Sequence, residues 1–312
     1  MSKDKAILSV LLSALAFGLL PLFSTVAYAN GFNTLTLNLF RSMLTSCVLF
    51  VYMRFRRVDW RVDRRHYVAL IKVSAIGSVA MLTLAASYRH TSTGLATLLH
   101  YVYPTAVMVG SILFYGEVFS LQRAYSLALS VAGLCLLIGY PGASAVSPRG
   151  VALALISGVS YAWSVLVLSY EGISMLDPLV LTWGQAVIRT VIFLFASILT
   201  AKMSLAFTWQ GVVSVLLLAV VCNSVGGVLL QVGLNVLNPT TVTILSAFEP
   251  ITSLVVGAVL LTEEMSWQQL VGAGFILASM IIASFAERRV RLTFESGDPH
   301  IRRPPIDDKL HP

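Results

Sequence analysis

Along the chain, apolar positions gather into runs of about 20 residues, the length that crosses the hydrocarbon core of a bilayer. Polar and charged positions collect between them. Spans are expected at 5–28, 34–53, 67–88, 93–115, 121–140, 150–170, 178–200, 208–232, 238–262 and 267–286. This pattern predicts an all-α integral membrane protein with ten transmembrane helices.

Composition agrees with the pattern. With 57% hydrophobic and 11% charged residues and a mean hydropathy of +0.84, the chain is too apolar and too poor in charge for an ordinary soluble domain. The net charge of +7 does not indicate a nucleic-acid partner. The basic residues sit between apolar runs and in the last segment, with no aromatic interleaving and no binding motif.

They set orientation instead, because basic loops resist translocation. With the N-terminus inside, the inner segments hold Lys3, Lys5, Arg54, Arg56, Arg57, Arg61, Arg64, Arg65, Lys72, Arg123, Arg288, Arg289, Arg291, Arg302, Arg303 and Lys309, which is 16 of the 21 basic residues. Arg89, Arg149 and Lys202 fall outside, and Arg41 and Arg189 lie within spans. The expectation is a multi-pass protein of the cell (inner) membrane with both termini cytoplasmic.

Lys3 and Lys5 before an apolar stretch, with "AYA" at 27–29, have the outline of a signal peptide. The stretch is span-length, however, where a signal core has about 7–15 apolar residues, so the first helix is expected to stay. Cys47, Cys135 and Cys222 fall in three different spans without ligand spacing, so neither a disulfide framework nor a metal site is expected. The tail at 287–312 is charged and Pro-rich and reads as a disordered cytoplasmic segment.

The most informative internal feature is a repeat. When residues 93–122 are set against 239–268, Thr97 meets Thr243, Pro104 meets Pro250, Glu117 meets Glu263, Ser120 meets Ser266 and Gln122 meets Gln268 in one register. Earlier in each half, "SALAFG" at 13–18 matches "SGVSYA" at 157–162, and Arg41 meets Arg189. The chain therefore divides into a first repeat at 1–140, a second at 141–286 and the tail. Five helices per repeat make the second copy run through the membrane in the opposite sense, and such inverted repeats with paired broken helices are an architecture of secondary transporters.

In each half the fourth helix carries a mid-span proline followed 13 residues later by a glutamate, "P104...YGE117" and "P250...LTE263". Together with ten spans in two inverted halves, this resembles the EamA-type branch of the drug/metabolite transporter superfamily over residues 5 to about 286. The resemblance implies a carrier of small organic metabolites or drugs, often an exporter, working by alternating access. It does not imply which substrate. A glutamate before the second proline is common in that family, as is a basic residue near Arg41.

Chemistry converges on the two prolines. Pro250 cannot donate to the carbonyl of Ser246, and Pro104 likewise frees that of His100, so each leaves an acceptor that hydrocarbon cannot satisfy. Thr93, Thr97, His100 and Pro104 share one helix face, and their repeat partners are Pro239, Thr243, Ser246 and Pro250. These stripes are expected to face each other across a wet cavity. Glu249 at its edge reads as a proton site or a counter-ion for a cationic substrate group, or else as a protonated glutamate bonded to a neighbouring helix.

His100 reads equally as a substrate or proton-relay group and as a neutral hydrogen-bonded core histidine. Arg189 is a candidate for a substrate carboxylate or for pairing with Glu249, whereas Arg41, nearer its helix end, reads as an anchor that snorkels. Tyr101, Tyr103, Tyr161 and Trp163 are candidate cavity walls, though packing or an interfacial belt explains any one of them. Asn223, and with less weight Gln231, need polar partners in lipid. Glu117 and Glu263, at helix ends, read as caps or interfacial contacts.

No GxxxxGK[ST], HExxH or GxSxG occurs, which speaks against an ATP-driven pump and an intramembrane enzyme. A secondary carrier is expected, without cofactor, with the bilayer, a small-molecule substrate and a coupling proton as partners. The rival is a channel or scaffold without active transport. One deep acid, few deep bases and aromatic neighbours suit an amino acid, an amine or another small amphiphile.

Overall fold

The structure is a computed structural model. It describes residues 3–282 apart from 117–120, 139–146, 172, 174–175, 202, 205, 235, 238–241, 243–244, 247, 264–265, 269 and 280, and at 65, 123, 134, 137, 138 and 234 the backbone alone. Among the described residues all regular structure is helical. Seven helices are long and apolar enough to cross a membrane, and shorter apolar helices at Ala124–Gly133, Phe248–Leu260 and Leu270–Ser279 fall where the fifth, ninth and tenth spans are expected. The tail lies outside the described residues.

The first span is two helices, α1 (Lys3–Gly18) and α2 (Leu20–Ala29), parted at Leu19 with Pro21 at the start of α2. That break is not in the sequence expectation. Helices α3 (Thr34–Arg56) and α4 (Arg64–Ser87) are continuous, and Asn33 caps α3 by accepting from the Thr36 N–H at 2.9 Å. The fourth span breaks at Tyr101 and Val102 into α5 (Thr93–His100) and α6 (Tyr103–Tyr115). Pro104 takes the second position of α6, where its missing N–H would have had no intrahelical partner.

Then come α7 (Leu121–Ile138), α8 (Pro148–Tyr170), α9 (Pro178–Thr200) and α10 (Trp209–Leu217). Asp177 starts α9 by accepting from Leu179 N–H at 2.8 Å. The eighth span continues from α10 as a π-helical stretch, Leu218–Gly226, and ends as α11 (Gly227–Leu234). The last two are α12 (Phe248–Leu260), with Pro250 in its first turn, and α13 (Leu270–Ser279).

Packing between the halves is reciprocal. α4 packs on α8, and α1 on the π stretch and α11; α3 packs on α9; α5 and α6 pack on α8, and α12 on α1 and α2; α5 also meets α12. Hydrogen bonds repeat the relation. Ser13 Oγ donates to the Gly226 carbonyl at 2.7 Å, and its partner Ser157 donates to the Ala80 carbonyl at 2.8 Å. In lipid, where apolar burial does not drive helices together, such bonds and close small-residue contacts hold a bundle. Gly158 is one such contact, since a Cβ there would lie 2.6 Å from the His100 carbonyl oxygen. Outward faces are apolar, with Leu113, Phe114, Phe195, Ile198, Leu199 and Trp209 between 63% and 75% exposed.

Candidate functional site

A cavity of about 220 Å³ lies between the halves. From the first half come Ser13, Phe17, Arg41, His100, Tyr101 and Tyr103; from the second come Tyr161, Gln185, Arg189, Asn223, Ser246 and Glu249. Both proline-bearing spans contribute, through His100, Tyr101 and Tyr103 beside Pro104 and through Ser246 and Glu249 beside Pro250.

The Ser246 carbonyl, freed by Pro250, is answered from the other half. The Tyr101 hydroxyl donates to it at 3.3 Å, and the Glu249 side chain lies beside the same hydroxyl. Tyr101 is 1% exposed although it carries a polar tip, which fits a buried phenol that has found partners. Tyr103 and Tyr161 meet edge to face with ring centroids 4.8 Å apart, and the His100 ring lies 5.4 Å from Tyr161 and 5.7 Å from Tyr103.

His100 Nδ1 is 2.9 Å from Ser157 Oγ. Ser157 spends its single hydrogen on the Ala80 carbonyl, so it accepts from His100, and Nδ1 carries the hydrogen. The structural reading of His100 therefore holds for its Nδ1 edge, while the ring still lines the cavity and its Nε2 is an acceptor when the ring is neutral.

The arginines differ from the expectation most. Arg41, expected to snorkel, is 2% exposed and lines the cavity. It stands on the part of α3 that packs on α9 at the cavity, so it turns into the protein instead of toward the membrane face. Its Nε and Nη1 are buried without a hydrogen-bond partner, as is Nε of Arg189. Arg189 Nη2 donates to Gln185 Oε1 at 2.7 Å, and among the described residues no ion pair joins either guanidinium to Glu249.

Other candidates lie elsewhere. Thr97 is not among the cavity-lining residues: its hydroxyl donates to the Thr93 carbonyl at 2.9 Å and accepts from Ser253 Oγ at 3.0 Å, tying α5 to α12. Trp163 stacks edge to face on Phe114 at 5.0 Å and is 39% exposed, on the outward side. Pro104 follows the break at Tyr101 and Val102, and neither Pro104 nor Pro250 lines the cavity. Thr243 and Glu117 lie outside the described residues. Asn223 and Gln231 line the cavity, Asn223 from the π stretch, a helix type that recurs at functional sites.

Sequence reasoning passed over Ser42, Thr45, Thr182 and Gln185, which also line the cavity. Gln185 carried a signal, standing four residues before Arg189 and so on the same helix face. Among the described residues no three His, Cys, Asp or Glu side chains gather as a metal site would require.

The EamA-like transporter family profile matches residues 4–139 and again 148–285. An uncharacterized transporter of Archaeoglobus fulgidus is 27% identical over 219 residues, covering 69% of this chain and 75% of its own. One crystal structure, 17% identical, superposes over 93% of this chain and 99% of its own with a TM-score of 0.68, a likeness of fold.

Proposed function

The chain belongs to the EamA-like transporter family, a multi-pass membrane transporter, and from that premise we propose that it is a secondary carrier of small organic metabolites. It works by alternating access, with ten spans arranged as two inverted five-helix repeats, residues 1–140 and 141–286. The observation that carries the reading is the cavity closed by both halves, in which a tyrosine before one proline bonds the carbonyl freed by the other. Rocking one half against the other would open that seam to either side, as in other inverted-repeat carriers.

Contacts between helix ends support the alternation of spans. Lys72 pairs with Glu171 at 3.0 Å, Glu263 bonds Thr93 N–H, and Thr208 bonds Asn30. Each pair joins ends that ten alternating spans put on one face. The basic residues assign the Lys72 face and both termini to the cytoplasm, in the inner membrane, and the family resemblance supports export. A cavity of about 220 Å³ is below the roughly 300–1,000 Å³ of drug-sized pockets, which favours an amino acid, an amine or another compact amphiphile.

Counterflow tests the reading. Liposomes holding the pure protein and loaded with unlabelled metabolites, screened across amino acids, amines, organic acids, purines and sugars, should take up label faster when the matching compound is inside. Uptake through the protein that is unsaturable and indifferent to internal substrate would make it a channel. No uptake of any compound would leave a scaffold.

A further inference from the structure

We infer that Arg41 and Arg189 form a docking site for the carboxylate of the transported molecule, so that the substrate is an organic carboxylate rather than a simple amine. The inference rests on the carrier reading and names the chemistry of its site.

The two arginines occupy matching positions of the repeat, on α3 and α9, and these helices pack together at the cavity. Between them Arg41 Nε, Arg41 Nη1 and Arg189 Nε are buried without partners, and Ser42 Oγ beside them is also unpartnered. The partner that Arg189 does have, Gln185, is neutral. An uncompensated buried cation is among the costliest arrangements in a membrane interior, and here there are two.

The cavity's carboxyl cannot serve both. Glu249 lies beside Tyr101 and pairs with neither guanidinium among the described residues. With Glu249 ionised the three groups sum to one net positive charge, and a monocarboxylate brings the cavity to neutrality. Guanidinium forks match the planar, two-oxygen geometry of a carboxylate. Gly77 on α4 holds the slot open, since a Cβ there would stand 2.8 Å from Arg189 Nη2.

The rest of the lining supports an organic body on that carboxylate. Phe17, Met81, Leu84, Leu230 and the tyrosines offer apolar and aromatic surface, which a bare inorganic anion would leave uncovered.

The full chain, purified in detergent, is titrated by thermal unfolding with acetate, hexanoate and benzoate, with the matched ethylamine, hexylamine and benzylamine, and with chloride, sulfate and inorganic phosphate. Saturable stabilisation by a carboxylate, with hexanoate or benzoate stronger than acetate and no effect of the matched amine, is expected. Arg41→Gln and Arg189→Gln should each weaken that carboxylate about tenfold or more, as loss of a charged hydrogen bond does. Gly77→Ala, which keeps both arginines, should weaken it as well.

Stabilisation by amines alone overturns the inference, as does no response to any carboxylate. So does an equal response to chloride or sulfate, or an unchanged carboxylate affinity in folded arginine variants. If those variants do not fold, the wild-type comparison of carboxylate with amine and the Gly77→Ala titration decide. Counterflow of the same labelled probes separates the two readings. Amine exchange without carboxylate binding keeps the carrier and removes the dock, whereas carboxylate binding without counterflow of any compound keeps the dock and removes the carrier.

Discussion

Ser13 and Ser157 make the same bond from opposite halves, each giving its hydroxyl hydrogen to a carbonyl of the facing third span, Gly226 and Ala80. Among the described residues only Ser157 has a further partner, His100. Ser13→Ala should therefore cost about 0.5–1.5 kcal/mol, the ordinary worth of one hydrogen bond. Ser157→Ala should cost more, because it also strands the Nδ1 hydrogen of His100. Unfolding of the two variants in one detergent tests this, and equal losses would count against the histidine tautomer assigned here.

Seven of the expected spans, the two halves and the proline pair were legible in the sequence because they depend on run length and on a missing N–H, both local properties. What was hidden is the rotation of each helix about its axis. A soluble helix shows its buried face by its polarity, but here the lipid side and the packed side are both apolar, so Thr97, Trp163 and Arg41 gave no sign of facing a neighbouring helix, the outside and the cavity. Glu249 was found because a carboxyl beside a proline needs a polar surrounding whichever way it points. The break at Pro21 follows from the proline rule alone and has no match in the repeat, where Val165 stands at the corresponding place in a continuous α8.

Glu263 caps a helix that is not its own. Its carboxylate accepts from Thr93 N–H at 2.7 Å and from Gly94 N–H at 3.2 Å, the first turn of α5. Glu263→Ala should lower stability by about 1–3 kcal/mol, since a charged acceptor is lost at a helix N-terminus. Thermal unfolding at two salt concentrations checks it, with the gap between wild type and variant narrowing at high salt.

Gly158 is wedged against the opened turn before Pro104. A methyl group at that position would stand 2.6 Å from the His100 carbonyl oxygen and 2.8 Å from Val102 Cγ1, so Gly158→Ala must push α8 from α5. A loss of about 1–3 kcal/mol is expected, as for other overpacked contacts. Wild-type stability in this variant would mean that the turn moves freely.

Replacing Pro104 or Pro250 with alanine supplies the backbone N–H that the proline lacks and lets the helix close through the break. Membrane insertion and expression should persist while transport falls, read as counterflow per milligram of reconstituted protein. Undiminished counterflow in both variants would detach the helix breaks from function.

Glu249→Gln keeps the size and bonding of the side chain and fixes it neutral. In a proton-coupled carrier, accumulation driven by a pH gradient should disappear while substrate-for-substrate exchange survives, because exchange need not release the proton. Loss of both with weaker binding would make Glu249 a substrate counter-ion instead. Unchanged uptake, exchange and pH dependence would leave it a structural residue.

Tyr101 has a single hydrogen and two oxygens beside it, the Ser246 carbonyl and Glu249. When Glu249 is protonated it can give its own hydrogen to the phenol, and the phenol passes one on to the carbonyl, so all three oxygens are served in a single direction. When Glu249 is charged it can only receive; it draws the phenol's hydrogen to itself and the carbonyl opened by Pro250 goes wanting. A change of one proton in the second half would thus redirect a hydrogen in the first, and the bond from Tyr101 to the Ser246 carbonyl would hold only with the acid neutral.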